Sequence, residues 1–156
     1  MMKVSQNQYA ELLLKALGGR QAARDRLRGL GVADDSYVIA DGSGLSRYNY
    51  VTEEALVGIL RMFYERPADA QAFPATLPVA GRDGTLARRL VGTPAEGKVR
   101  AKSGTIDNVR AISGYVEDAD GEVFVFSIIA NNFAIPAAQI DAAADRALVR
   151  LATFKR

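Results

Sequence analysis

A chain of 156 residues with 49% apolar content is long enough to bury one sizeable core and too short to argue for two domains, so residues 1–156 are expected to form a single unit. The net charge of +2 is too small to imply nucleic acid. The absence of cysteine and histidine excludes disulfides, thiolate nucleophiles and a histidine base, and it removes the usual ligands of zinc, so neither metal nor cofactor is expected.

No apolar run approaches the ~20 residues of a membrane span, and the opening Met-Met-Lys-Val-Ser-Gln-Asn has no signal-peptide core. Ser5 followed by Gln8 has the spacing of a capping box, which predicts a helix from about Asn7 to Gly18-Gly19 burying Tyr9, Leu12, Leu13, Ala16 and Leu17. A shorter helix is expected over 20–30. Its arginines at 20, 24, 26 and 28 read as a solvated face, because no aromatic residues interleave them. A short extended run at 37–40 leads into Asp41-Gly-Ser-Gly-Leu-Ser46, a loop by composition. Thr52 then caps a helix whose stripe of Ala55, Leu56, Ile59, Leu60 and Phe63 stops at Pro67. Prolines and glycines break 67–97 into short pieces, of which only 85–91 looks helical.

Residues 98–105, 111–117 and 123–130 are rich in β-branched and aromatic side chains and predict an antiparallel meander, its second connection closed by a tight turn at Asp120-Gly121. The third strand is apolar on both alternations, so both of its faces should be covered. Pro136 suits a first helical position, and Ile140, Ala144, Leu148 and Leu151 mark a long final helix over one face of the sheet. The predicted fold class is α+β.

Two motifs bear on chemistry. Gly92-Thr-Pro-Ala-Glu-Gly-Lys98-Val99 nearly spells a phosphate-binding loop, but Val99 stands where a magnesium-holding hydroxyl is required and a strand follows where a helix should begin. It reads as a turn feeding a strand. Lys102-Ser-Gly is weak alone, since about one chain in ten of this length contains Lys-[Ser/Thr]-Gly by chance. Its combination with Ser5-Gln-Asn7 opening a helix gives the motif pair of penicillin-binding proteins and serine β-lactamases, which add a Ser-x-x-Lys nucleophile.

The resemblance extends to four blocks: 5–18, 41–49, 77–85 and 97–105 resemble successive stretches of the class C low-molecular-mass penicillin-binding proteins, the D-alanyl-D-alanine carboxypeptidases and endopeptidases of the bacterial periplasm. It covers nearly the whole chain, but only the C-terminal part of that family's catalytic domain. It implies a transpeptidase-like fold, a periplasmic or extracytoplasmic location, β-lactams and peptidoglycan stem peptides ending in D-Ala-D-Ala as partners, and a serine acyl-enzyme mechanism. By the same resemblance Ser5 would relay a proton to the leaving group, Asn7 would hydrogen-bond the substrate, and Lys102 would supply positive potential and orient the Ser5 hydroxyl. Ser103 would bind the terminal carboxylate, the Thr105 N–H would form half of an oxyanion hole, and Gly104 would let the peptide lie against the strand edge. Leu45 and Arg47 would wall a pocket for the stem-peptide side chain. Singly, each also reads as a structural residue: Ser5 a helix cap, Asn7 a first-turn polar group, Lys102 a solvated strand residue, Arg47 surface.

None of the seven serines is followed three residues later by lysine. The alternative to an enzyme is therefore a non-catalytic module that binds stem peptide or pairs with an N-terminal half. A third strand left at the sheet edge would also favour self-association through 123–130.

Overall fold

The computed structural model describes residues 1–156. Its elements run α1 (Asn7–Ala16), α2 (Gly19–Gly29), β1 (Tyr37–Val38), β2 (Tyr50–Val51), α3 (Glu53–Glu65), α4 (Ala72–Thr76), β3 (Val99–Ile106), β4 (Val109–Glu117), β5 (Val123–Asn131) and α5 (Ala137–Ala152). β3, β4 and β5 form the expected antiparallel meander in that order, and β1 pairs with β2 in a two-stranded ribbon that composition had not disclosed. No helix is long and apolar enough to cross a membrane.

The core lies between the sheet and α5. Val99, Ala101, Ile112, Val116 and Phe126 alternate onto one face and meet Leu148 and Ala152 of α5, with Leu86, Leu90 and Ala95 closing the side. On the other face Tyr115 reaches across to α3, where its hydroxyl donates to the Leu60 carbonyl at 2.7 Å. That burial and the neighbouring Tyr64 push the Tyr115 phenol up to about 12. Thr52 caps α3 as its sequence predicts, accepting from the Ala55 N–H at 3.2 Å.

Several expectations are corrected. The capping box does not form: Gln6 is the N-cap of α1 without a side-chain bond, and Ser5 sits before it at φ +53 with its hydroxyl turned to Lys102. The apolar stripe of α1 is not buried, since Tyr9, Leu12 and Leu13 are 58%, 59% and 55% exposed and no residue of the helix is buried. The helix expected over 85–91 is only a 3₁₀ turn, Gly84–Leu86, because the chain turns back at Leu90 with φ +60. A helical turn appears instead at Ala72–Thr76, where Pro74 is tolerated in the first turn. Pro136 is the N-cap of α5, one position earlier than expected. The β4–β5 connection is wider than a two-residue turn: buried Asp118 accepts from the N–H groups of Asp120 and Glu122, and Gly121 supplies the positive φ of +84. β5 has both faces partly covered, but as the edge strand only its Phe126 is fully buried.

Candidate active site

The geometry follows from which groups of β3 are used up by its neighbours. Glu117 N donates to Lys98 O at 3.2 Å, so residues 98 and 117 form a hydrogen-bonded pair. By antiparallel alternation the register then makes 100 with 115, 102 with 113 and 104 with 111 hydrogen-bonded as well. The backbone groups of 99, 101, 103 and 105 therefore point away from β4. Those of Val99 and Ala101 meet the 78–80 segment, Ala80 N donating to Val99 O at 2.9 Å and Ala101 N to Pro78 O at 3.0 Å. Beside Ser103 and Thr105 no strand is paired, so their outward N–H groups lie on a free edge.

Above this edge stands Lys102. Its ammonium donates to Ser5 Oγ at 2.8 Å and to the Ser103 carbonyl. Desolvation by burial lowers the Lys102 pKa from the ordinary lysine value. Ser103 Oγ donates to Thr85 Oγ1 at 3.0 Å. Ser5 is held in place by its own segment: Lys3 pairs with Asp83 at 2.5 Å, Thr85 N donates to Lys3 O at 3.0 Å, and Gly84 lies so close that a Cβ would stand 2.3 Å from Lys3 O. The Lys3 ammonium and the Val79 N–H hold the Asp83 carboxyl below its usual range.

The structure thus brings Ser5, Lys102 and Ser103 into one hydrogen-bonded chain with Thr85, and leaves Gly104 and Thr105 exposed beside it. Asn7 is the first residue of α1, exposed and two residues from Ser5. Arg47 reaches the β3–β4 hairpin, 3.7 Å from Asp107 and so two residues past Thr105, while Leu45 is exposed beside it in the same loop. No sequence motif marks Thr85, Lys3 or Asp83 as a site residue. Asp83 and Thr85 fall inside one of the four resembling blocks, 77–85, and that placement is their signal in the sequence.

The profile of the D-Ala-D-Ala carboxypeptidase 3 (S13) family matches residues 1–153. The chain belongs to that family. It is 43% identical to a D-alanyl-D-alanine carboxypeptidase of Actinomadura sp. (strain R39) across 98% of its own length and 31% of the relative's. It superposes with a TM-score of 0.88 and 27% identity on penicillin binding protein 4 of Haemophilus influenzae complexed with a β-lactam, covering 99% of this chain and 40% of that one. The TLA-3 extended-spectrum β-lactamase shares the fold alone, at 18% identity and a TM-score of 0.69 over 93% of this chain and 60% of its own. The α+β architecture is therefore that of the penicillin-binding-protein and β-lactamase class, and the chain spans about a third of the length of the curated relatives it matches.

Proposed function

We propose that residues 1–156 are part of one catalytic domain and supply the recognition and oxyanion half of a serine-type D-alanyl-D-alanine carboxypeptidase or endopeptidase site acting on peptidoglycan outside the cytoplasm. The observation that carries this reading is the Lys102–Ser5 bond of 2.8 Å beside the free edge at Ser103 and Thr105. A peptide can add to that edge as an extra strand, Gly104 leaving room for it. Its terminal carboxylate would accept from the Ser103 hydroxyl, with the Lys102 charge adding electrostatic attraction.

In the reaction, a serine hydroxyl supplied by a Ser-x-x-Lys segment attacks the carbonyl carbon of the penultimate D-Ala and gives its proton to that lysine. The carbonyl oxygen gains the negative charge, to which the Thr105 N–H donates. As the C–N bond breaks, the leaving amine takes a proton through the Ser5 hydroxyl, which Lys102 orients, and Asn7 holds the substrate backbone. Water then hydrolyses the acyl-serine, and a β-lactam stops at that ester. The test is a transplant, with this chain replacing the matched third of the Actinomadura carboxypeptidase. Release of D-Ala from acyl-D-Ala-D-Ala is expected; a folded chimera that releases none contradicts the reading.

A second reading is favoured by the exposed Tyr9, Leu12 and Leu13 on α1 and Leu17 at its end: the chain acts as a module that pairs with a polypeptide bearing the nucleophile. The unpaired edge of β5 offers a further contact, through which two copies would associate.

A further inference from the structure

The loop that carries Leu45 and Arg47 is fastened to α1 by one carboxylate. Glu11 Oε2 accepts from Gly42 N at 3.1 Å and Oε1 from Ser43 N at 2.9 Å, so a single side chain takes two successive backbone donors across 31 and 32 residues of sequence. The contact is close as well as polar, since a Cβ on Gly42 would stand 2.5 Å from the Ala10 carbonyl oxygen. The loop is also braced from within. Asp41 accepts from Gly44 N, Ser46 N and the Asn49 amide, and Asn49 Oδ1 accepts in turn from Ala40 N and Asp41 N. Leu45 and Arg47 flank Ser46, whose N–H is one of the anchored groups, and both side chains remain largely exposed. The Arg47 pair with Asp107 is long and solvated, so it ties the guanidinium only weakly. What fixes these two side chains relative to Ser5 and Asn7 is therefore the loop's attachment to the helix that begins at Asn7.

We propose that Glu11 is a positioning residue for substrate selectivity: by clamping the 41–47 loop to α1 it sets the place of Leu45 and Arg47 relative to the Ser5–Lys102 pair, and so favours stem peptides whose side chain ends in a carboxylate. This rests on the reading of Leu45 and Arg47 as pocket walls. Glu11 touches no reacting atom. Its removal should misplace the pocket more than the strand edge that binds the backbone and terminal carboxylate.

The test compares Glu11→Ala, Glu11→Gln and Gly42→Ala in the transplanted carboxypeptidase. Each is assayed on acyl-D-Ala-D-Ala and on the same dipeptide carrying a side chain that ends in a carboxylate. Glu11→Ala and Gly42→Ala should lower kcat/KM for the carboxylate-bearing substrate roughly tenfold more than for the simple one, within the ~10²-fold that a 1 Å misplacement can cost. Glu11→Gln, which keeps one acceptor oxygen, should fall between. Equal losses on both substrates, or an unchanged ratio, overturn the proposal. If the transplant turns over neither substrate, the functional reading fails, and amide exchange on the 156-residue chain decides the clamp. Glu11→Ala must then speed exchange at Gly42–Ser46 while leaving Val99–Ile106 unchanged; unaltered loop exchange overturns it.

Discussion

Gly104 and Gly114 lie on adjacent strands and have opposite duties. A Cβ on Gly114 would stand 2.1 Å from the Arg100 carbonyl oxygen and 2.6 Å from Ala101 Cα, so Gly114→Ala should destabilise the chain by about 1–3 kcal/mol, read from the denaturation midpoint. A Cβ on Gly104 would meet only Ala111 at 3.5 Å, and alanine suits a strand better than glycine. Gly104→Ala should therefore hold or slightly raise stability while obstructing a peptide on the β3 edge; equal destabilisation by both variants would remove that distinction. Asp83 gives a pH signature. Its folded pKa is depressed by Lys3 and Val79, so its contribution is present above the ordinary value of 3.8 and is lost as pH falls through the lower folded value. Asp83→Asn should flatten the stability curve below about pH 4, and a slope that survives the substitution would place the effect elsewhere. At this scale the motifs single out Lys102, Ser103 and Ser5, which the fold joins in one hydrogen-bonded chain. The sequence hid Glu11, because a carboxylate that binds backbone donors 31 residues away has no local pattern to betray it.

Among the elements, the meander, α3 and α5 were legible because each has a periodic apolar face that finds its partner within the chain. The α1 stripe was equally legible as a pattern, but nothing in this chain covers it, so periodicity correctly predicted the helix and wrongly predicted its burial. The 3₁₀ turn at Gly84–Leu86 was missed for a different reason: tertiary anchoring of Leu86 and Leu90 in the core overrides the local helical composition of 85–91. β5 carries the prediction at this scale. The alternation that leaves Ser103 free on β3 leaves the backbone groups of Val123, Val125, Ser127 and Ile129 unpaired on the outer side of β5. No charge or proline interrupts residues 123–130. The 156-residue chain should self-associate at tens of micromolar in light scattering, and Ser127→Lys should shift it towards monomer. A clean wild-type monomer with fast-exchanging amides along this strand would show that the edge is tolerated.

The whole molecule exposes 9346 Å² of accessible surface, against about 7,700 Å² for a self-contained protein of 16.8 kDa. The excess of about 1,700 Å² exceeds what one partner contributes to an ordinary protein interface, and much of the exposed apolar surface lies on residues 1–51. Relatives about three times as long have the chain length to cover it. Because the 156 residues hold no Ser-x-x-Lys, the purified chain should show no covalent adduct with a labelled penicillin by intact mass; an adduct on Ser5 or Ser103 would mean that one of them has a base of its own. The central claim, that Lys102 and the β3 edge form the electrostatic half of an acyl-transfer site, is tested most directly by the acylation rate of the transplanted carboxypeptidase with labelled penicillin. Lys102→Ala should slow acylation by ~10²-fold or more with the fold intact, the scale of losing one preorganised stabiliser of the oxyanion. An unchanged rate would contradict it.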